Sequence, residues 1–187
     1  MALTDTPTSY GLISRFNHWV VALLVLVMLG IGLYFADLPR GDEKTFWFQM
    51  HMAIGALTAV FVVLRVLWRA VSRRTQPFPQ ARFLQVTTDI VHGVLMLALV
   101  IMVVTGPLTV WTAGRPVAPF DLFSIASPTG EMHNLHEILE QVHVVTAYIL
   151  MGALALHILG MLKHLVFDRQ VLMGRMVGSI KPEASAE

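Results

Sequence analysis

Residues Gln141–Leu162 read QVHVVTAYILMGALALHILGML, a run with no Asp, Glu, Lys or Arg and with a histidine near either end. A helix needs about 20 apolar residues to cross the hydrocarbon core of a bilayer. Lipid leaves a single short chain no better way to satisfy its backbone groups. The segment therefore reads as a membrane-spanning helix that carries two imidazole rings. His143 and His157 are fourteen apart, which at about 100° and about 1.5 Å per residue places them within about 40° of one face and about 21 Å apart along the axis. One helix thus offers two rings in a vertical column, one near each membrane surface.

Three further stretches are as free of charge: Phe16–Ala36, Thr45–Leu64 and Ile90–Gly114. With their flanks the four helices are expected at 16–36, 45–68, 88–112 and 138–164. The predicted fold class is an all-α membrane protein, a four-transmembrane-helix bundle, with residues 10–178 as one domain and 179–187 as a polar C-terminal tail. Composition agrees: of 187 residues, 56% are hydrophobic and 13% charged, against about 25% charged in soluble domains. A net charge of +1 gives no basic excess for nucleic acid. The absence of cysteine excludes disulfides, thiolate zinc sites, iron–sulfur clusters and covalently attached c-type haem.

The connections set the direction. Leu38-Pro39-Arg40-Gly41-Asp42 separates the first two spans, Ser72–Arg82 with Pro77 and Pro79 the next two, and the longest, Thr112–Asn134, the last two. A loop of that length in a compact protein is often functional. Arg15, Arg65, Arg69, Arg73, Arg74, Arg82, Lys163, Arg169, Arg175 and Lys181 fall on one side, leaving Arg40, Lys44 and Arg115 on the other. The positive-inside rule then puts both termini in the cytoplasm. The first span has too long an apolar stretch, and no A-x-A site, for a cleavable signal.

Ionisable rings at membrane depth mark functional sites by default. His18 lies at the inner end of the first span and His51 near the outer end of the second, so His51 matches the level of His143, and His18 that of His157. Two imidazoles facing one another across a bundle suit a planar iron cofactor with axial ligands on both sides. Two such pairs predict two stacked b-type haems, non-covalent iron protoporphyrin IX, with no open coordination position and hence electron transfer rather than oxygen binding. The alternative is four polar side chains snorkelling or bonding between helices. His136 and His164 share the column of the fourth span one heptad out, so the ligand positions could slip by seven. His92, in the third span, is the main rival partner for His18 or His157, and His133 falls in the loop.

Other residues fit such a site. Gly55 follows His51 by one turn, where a missing side chain would admit a flat macrocycle or close helix packing. Arg65 follows His51 by fourteen, at the inner level, where its fork of donors suits a haem propionate or a positive-inside anchor. Asp89 and His92 share a face and could exchange protons with a quinone, although Asp89 is equally explained by a helix start. Thr105-Gly106-Pro107 marks a kink or local unwinding. Trp19, Trp47, Trp68 and Trp111 near the span ends form an interfacial belt.

Tyr10-Gly11…Asn17-His18-Trp19, His51-x-x-x-Gly55 with Arg65 and Leu67-Trp68-Arg69, Asp89-x-x-His92-Gly93, and Leu162-Lys163-His164…Asp168…Leu172…Arg175-Met176 together resemble the bacterial cytochrome b561 proteins, over roughly residues 10–178. The resemblance implies a four-helix, two-haem cytochrome of the inner membrane, related to the b-type subunits of Ni,Fe-hydrogenases. It implies iron ligands at His18, His51, His143 and His157 and exchange with a quinone pool such as ubiquinone. It also implies, in some members, superoxide oxidation at the periplasmic face. The extra His133 and His136 depart from that pattern. The expected function is a respiratory-chain electron carrier with superoxide:quinone oxidoreductase activity as one form. The alternative is a membrane anchor and electron relay for a separate redox protein docking on the Thr112–Asn134 loop. A metal-ion channel or transporter is disfavoured, since cation paths usually use intramembrane carboxylates.

Overall fold

The computed structural model describes residues 2–73, 75–77, 80–166 and 172–177. Arg74, Pro79, Asp168, Arg169, Lys181 and the 179–187 tail lie outside the described residues. Four long helices make up the structure: α1 (Leu12–Asp37), α2 (Asp42–Val71), α3 (Arg82–Thr112) and α4 (His133–Val166). A one-turn 3-10 segment, Pro119–Asp121, and a short α5, Leu172–Val177, complete it. All four long helices are long and apolar enough to cross a membrane. Among the described residues there is no strand, only two isolated bridges within the long loop.

Each helix is longer than its charge-free stretch, because backbone hydrogen bonding continues into the polar interface after the apolar run has ended. At 26 to 34 residues the helices measure about 39 to 51 Å, against a hydrocarbon core of about 30 Å. Pro107 does not divide α3: the helix runs through it, and the missing N–H leaves no break in the element.

Close packing joins α1 to α2 and α3 to α4, with α2 also touching α3; α4 has no comparable approach to α1 or α2. The bundle is thus two hairpins set side by side with space between parts of their facing surfaces. Where they do meet, Val21, Val25, Val62, Ala98, Leu99 and Leu150 form one buried apolar cluster drawn from all four helices. Leu150 lies seven residues from both His143 and His157, so this layer sits midway between the two histidine levels.

The two ends differ. At the arginine-rich end the segment before α1 folds back over the helix start. The Leu12 and Ile13 N–H groups donate to the carbonyls of Ala2 and Leu3 at 3.0 and 3.3 Å, supplying partners that a first turn otherwise lacks. The buried Asp5 carboxylate accepts from Gly11 N–H and Ser14 Oγ, both at 2.8 Å, and Ser14 Oγ accepts from Trp68 Nε1 at 2.7 Å. Gln76 N–H donates to Pro7 O at 2.9 Å, Arg175 donates to Gln76 O at 3.0 Å, and Trp19 Nε1 to Met176 O at 3.2 Å. At the opposite end the connection between α3 and α4 closes on itself. Val117 and Ile125 exchange both backbone hydrogen bonds, at 3.0 and 2.9 Å, and Gly114 and Gly130 take positive φ angles of 72° and 66°, where glycine carries no steric penalty.

Candidate functional site

α4 carries His143 and His157 on the face turned toward the first hairpin. The His143 ring centroid is 6.4 Å from that of His51 on α2, and the His157 ring is 6.3 Å from that of His18 on α1. The ring planes cross at 79° and 65°. Both pairs therefore bridge the two hairpins, at two levels separated by the apolar layer, as the spacing along α4 predicts.

These distances test whether iron fits. First-row metal–imidazole bonds are about 2 Å, and each bonded nitrogen lies about 1.2 Å from its ring centre, so an ion between two opposed rings sets their centroids about 6.4 Å apart. Both pairs meet that value. His92, whose ring is 5.2 Å from that of His157, is about 1 Å too close for an ion to lie between them; separation alone distinguishes it, since all three pairs cross edge-on. Among the described residues no three His, Asp or Glu side chains gather round one point; the imidazoles converge in twos.

The neighbours of each ring refine the fit. His143 Nδ1 is 2.8 Å from Thr105 Oγ1 on α3, and that hydroxyl also lies 2.8 Å from the Ile101 carbonyl. His51 Nδ1 is buried with no hydrogen-bond partner. Its ring lies against Gly32 of α1, where a Cβ would sit 3.2 Å from His51 Cε1, and Phe35 meets it edge-on at 5.3 Å. His18 Nδ1 is 3.2 Å from Arg65 Nη2; a guanidinium has no acceptor, so Arg65 donates. Beside it Asn17 Nδ2 donates to the Phe61 carbonyl at 3.1 Å, while Asn17 Oδ1 is buried without a partner.

The remaining sequence candidates fall in various places. At Gly55 a Cβ would lie 3.1 Å from the Met28 methyl, so this glycine serves the close approach of α1 to α2. Asp89 and His92 are exposed, and Asp89 accepts from Gln85 Nε2 at 3.0 Å. His133 and His136 are engaged at the loop end of α4. His133 Nε2 is 3.3 Å from Glu137, His136 Nε2 is 3.9 Å from Glu140, and His136 Nδ1 donates to the Thr109 carbonyl at 3.0 Å. Sequence reasoning missed Gly32 and the contact of Thr105 with an imidazole. Neither carries a periodic signal of its own, and both need the pairing of helices to be known.

The chain matches prokaryotic cytochrome b561 over residues 9–179. It belongs to that family. It is also 28% identical over 183 residues to cytochrome b561 homolog 2 of Escherichia coli strain K12, covering 95% of this chain and 96% of that one. Cytochrome b561 membership, with four apolar helices, makes it a multi-pass bacterial membrane protein that transfers electrons across the membrane on b-type haem.

Proposed function

We propose that this cytochrome b561 binds two haem b groups, one between His51 and His143 and one between His18 and His157, and exchanges electrons with a quinone pool. The matching ring separations of 6.4 and 6.3 Å across the two hairpins carry the reading. Bound haem would supply one-electron redox chemistry, and the two imidazoles at each level would be the residues that hold it.

The chain's own residues do the rest. The rings of α4 and the first hairpin grip from opposite sides, and the sparse contact of α4 with α1 and α2 leaves room between them. Gly32 lets the His51 ring lie against α1, and Gly55 lets Met28 close the hairpin below it. Arg65 now donates to His18 Nδ1, which leaves the ring proton on Nε2. Ligation through Nε2 therefore requires Arg65 to release that ring. The freed guanidinium then has the reach and charge for a haem propionate. Asp89 and His92, exposed at the arginine-rich end beside His157, are the groups best placed to exchange protons with a quinone.

On the positive-inside rule the arginine-rich end, both termini included, faces the cytoplasm and the membrane is the bacterial inner membrane. Residues 10–178 form one functional domain, and the His51–His143 level faces the periplasm. Superoxide is then one candidate donor, ubiquinone the acceptor. A second reading, anchor and relay for a separate redox protein, is favoured by one observation: Phe120, Leu122 and Phe123 stand exposed on the loop at that end. Reduced-minus-oxidised spectra and a haem:protein ratio test the first claim. Two b haems per chain support it and one overturns it. Superoxide-driven quinone reduction by the isolated protein separates the donor from the relay.

A further inference from the structure

Thr105 is the most tightly held polar side chain that touches any of the four rings. It is 5% exposed, and its hydroxyl is 2.8 Å from both the Ile101 carbonyl and His143 Nδ1. A threonine hydroxyl has one proton, and a carbonyl can only accept. Back-bonding to the carbonyl four residues earlier, a habit of helical Thr, commits that proton to Ile101. If it pointed at His143 instead, Oγ1 and the Ile101 oxygen would face one another as two acceptors. His143 Nδ1 must therefore carry a hydrogen and donate it to Oγ1, which leaves the lone pair on Nε2. The next residue, Gly106, has only hydrogen where a Cβ would lie 3.6 Å from His143 Cε1, so the ring edge rests directly against α3.

We propose that Thr105 is a positioning residue that holds His143 in the tautomer with its hydrogen on Nδ1 and its lone pair on Nε2, and thereby lowers the reduction potential of the haem at that level. This rests on the reading that His143 is an iron ligand. A ring N–H donated to an acceptor fixes the tautomer of a ligating histidine and makes the ligand more basic. A more basic ligand favours the ferric, more electron-poor iron. Among the described residues none of the other three rings has an acceptor of this kind: His51 Nδ1 is buried without a partner and His18 Nδ1 faces the donor Arg65, while no hydroxyl or carbonyl contact fixes His157. The bias is therefore confined to one of the two levels.

The test is a potentiometric titration of both haems in the purified haem-loaded protein, with electron paramagnetic resonance of the ferric form. Thr105→Val removes the hydroxyl at nearly constant shape. One midpoint should move upward with a change in the g-values of that haem alone, and Thr105→Ser should restore both. Thr109→Val is the control, because that hydroxyl donates to the Thr105 carbonyl at 2.8 Å and touches no ring. It should leave both midpoints in place. Should valine disturb the contact between α3 and α4, Thr105→Ala gives the same readout without added bulk. Unchanged midpoints in both the Val and Ala variants, or a Ser variant that behaves like Val, overturn the proposal. His143→Ala separates this failure from that of the underlying reading: if it retains both haems, His143 is no ligand and the site assignment itself is wrong.

Discussion

At the residue scale, the discrimination among histidines rests on about one ångström. His157 has two ring neighbours, His18 at 6.3 Å and His92 at 5.2 Å, and only the longer spacing admits a metal ion with two bonds of about 2 Å. On the two-haem proposal, replacing His51 or His143 with alanine should remove one haem and leave the other, read as half the absorbance of the b-type band per protein. His92→Ala should retain both haems. A His92 variant with half the pigment would reverse the assignment of the His18–His157 pair. The column of His143 and His157 was legible from spacing alone, because a 14-residue interval nearly closes four helical turns. The partners of those rings were not: Thr105 is 38 residues from His143 in the chain, and Arg65 is 47 from His18. Nothing local in the sequence announces either contact.

At the element scale, the four helices follow from the absence of charge, and the length of each exceeds that signal for the reason given by their polar ends. The segment before α1 was not legible at all. Its order comes from a buried carboxylate, Asp5, and from two backbone carbonyls that meet the first turn of α1. Gly11 makes this possible: a Cβ there would sit 2.4 Å from the Thr4 carbonyl carbon and 2.5 Å from the Leu3 oxygen. Gly11→Ala should force the segment off the helix start and cost roughly 1–3 kcal/mol, the range for inserting a methyl into a packed site. The lower melting temperature would be measured in detergent, and unchanged stability would mean that the segment contributes little. The glycines beside the imidazole rings act differently. Gly32 and Gly106 leave room for an imidazole ring, which a reading of the sequence assigns no more readily to them than to Gly55.

At the scale of the whole molecule, the two hairpins share one apolar layer and the approach of α2 to α3 and to the Pro119–Asp121 segment, while α4 faces the first hairpin chiefly through paired rings. Groups that bind both hairpins should then hold the bundle together. A ligand present at 100 times its dissociation constant adds about 2.7 kcal/mol of stability. Protein expressed under haem limitation should melt at a lower temperature than replete protein, and added hemin should restore the difference. Equal melting temperatures would show that the hairpins associate without the cofactor. The overall class was legible because composition and charge placement are properties of the entire chain, whereas the split into two hairpins depends on which helix faces pack.

The layer of Val21, Val25, Val62, Ala98, Leu99 and Leu150 has a consequence for energy conservation. None of these six side chains can accept or release a hydrogen ion, and their close packing excludes a file of solvent that could relay one. An electron needs no such relay, since it can tunnel through hydrocarbon without a chain of hydrogen-bonding groups. The midplane thus acts as an insulator to ionic current and a conductor to electronic current. A cytochrome built this way can pass electrons through its midplane without carrying hydrogen ions along the same path.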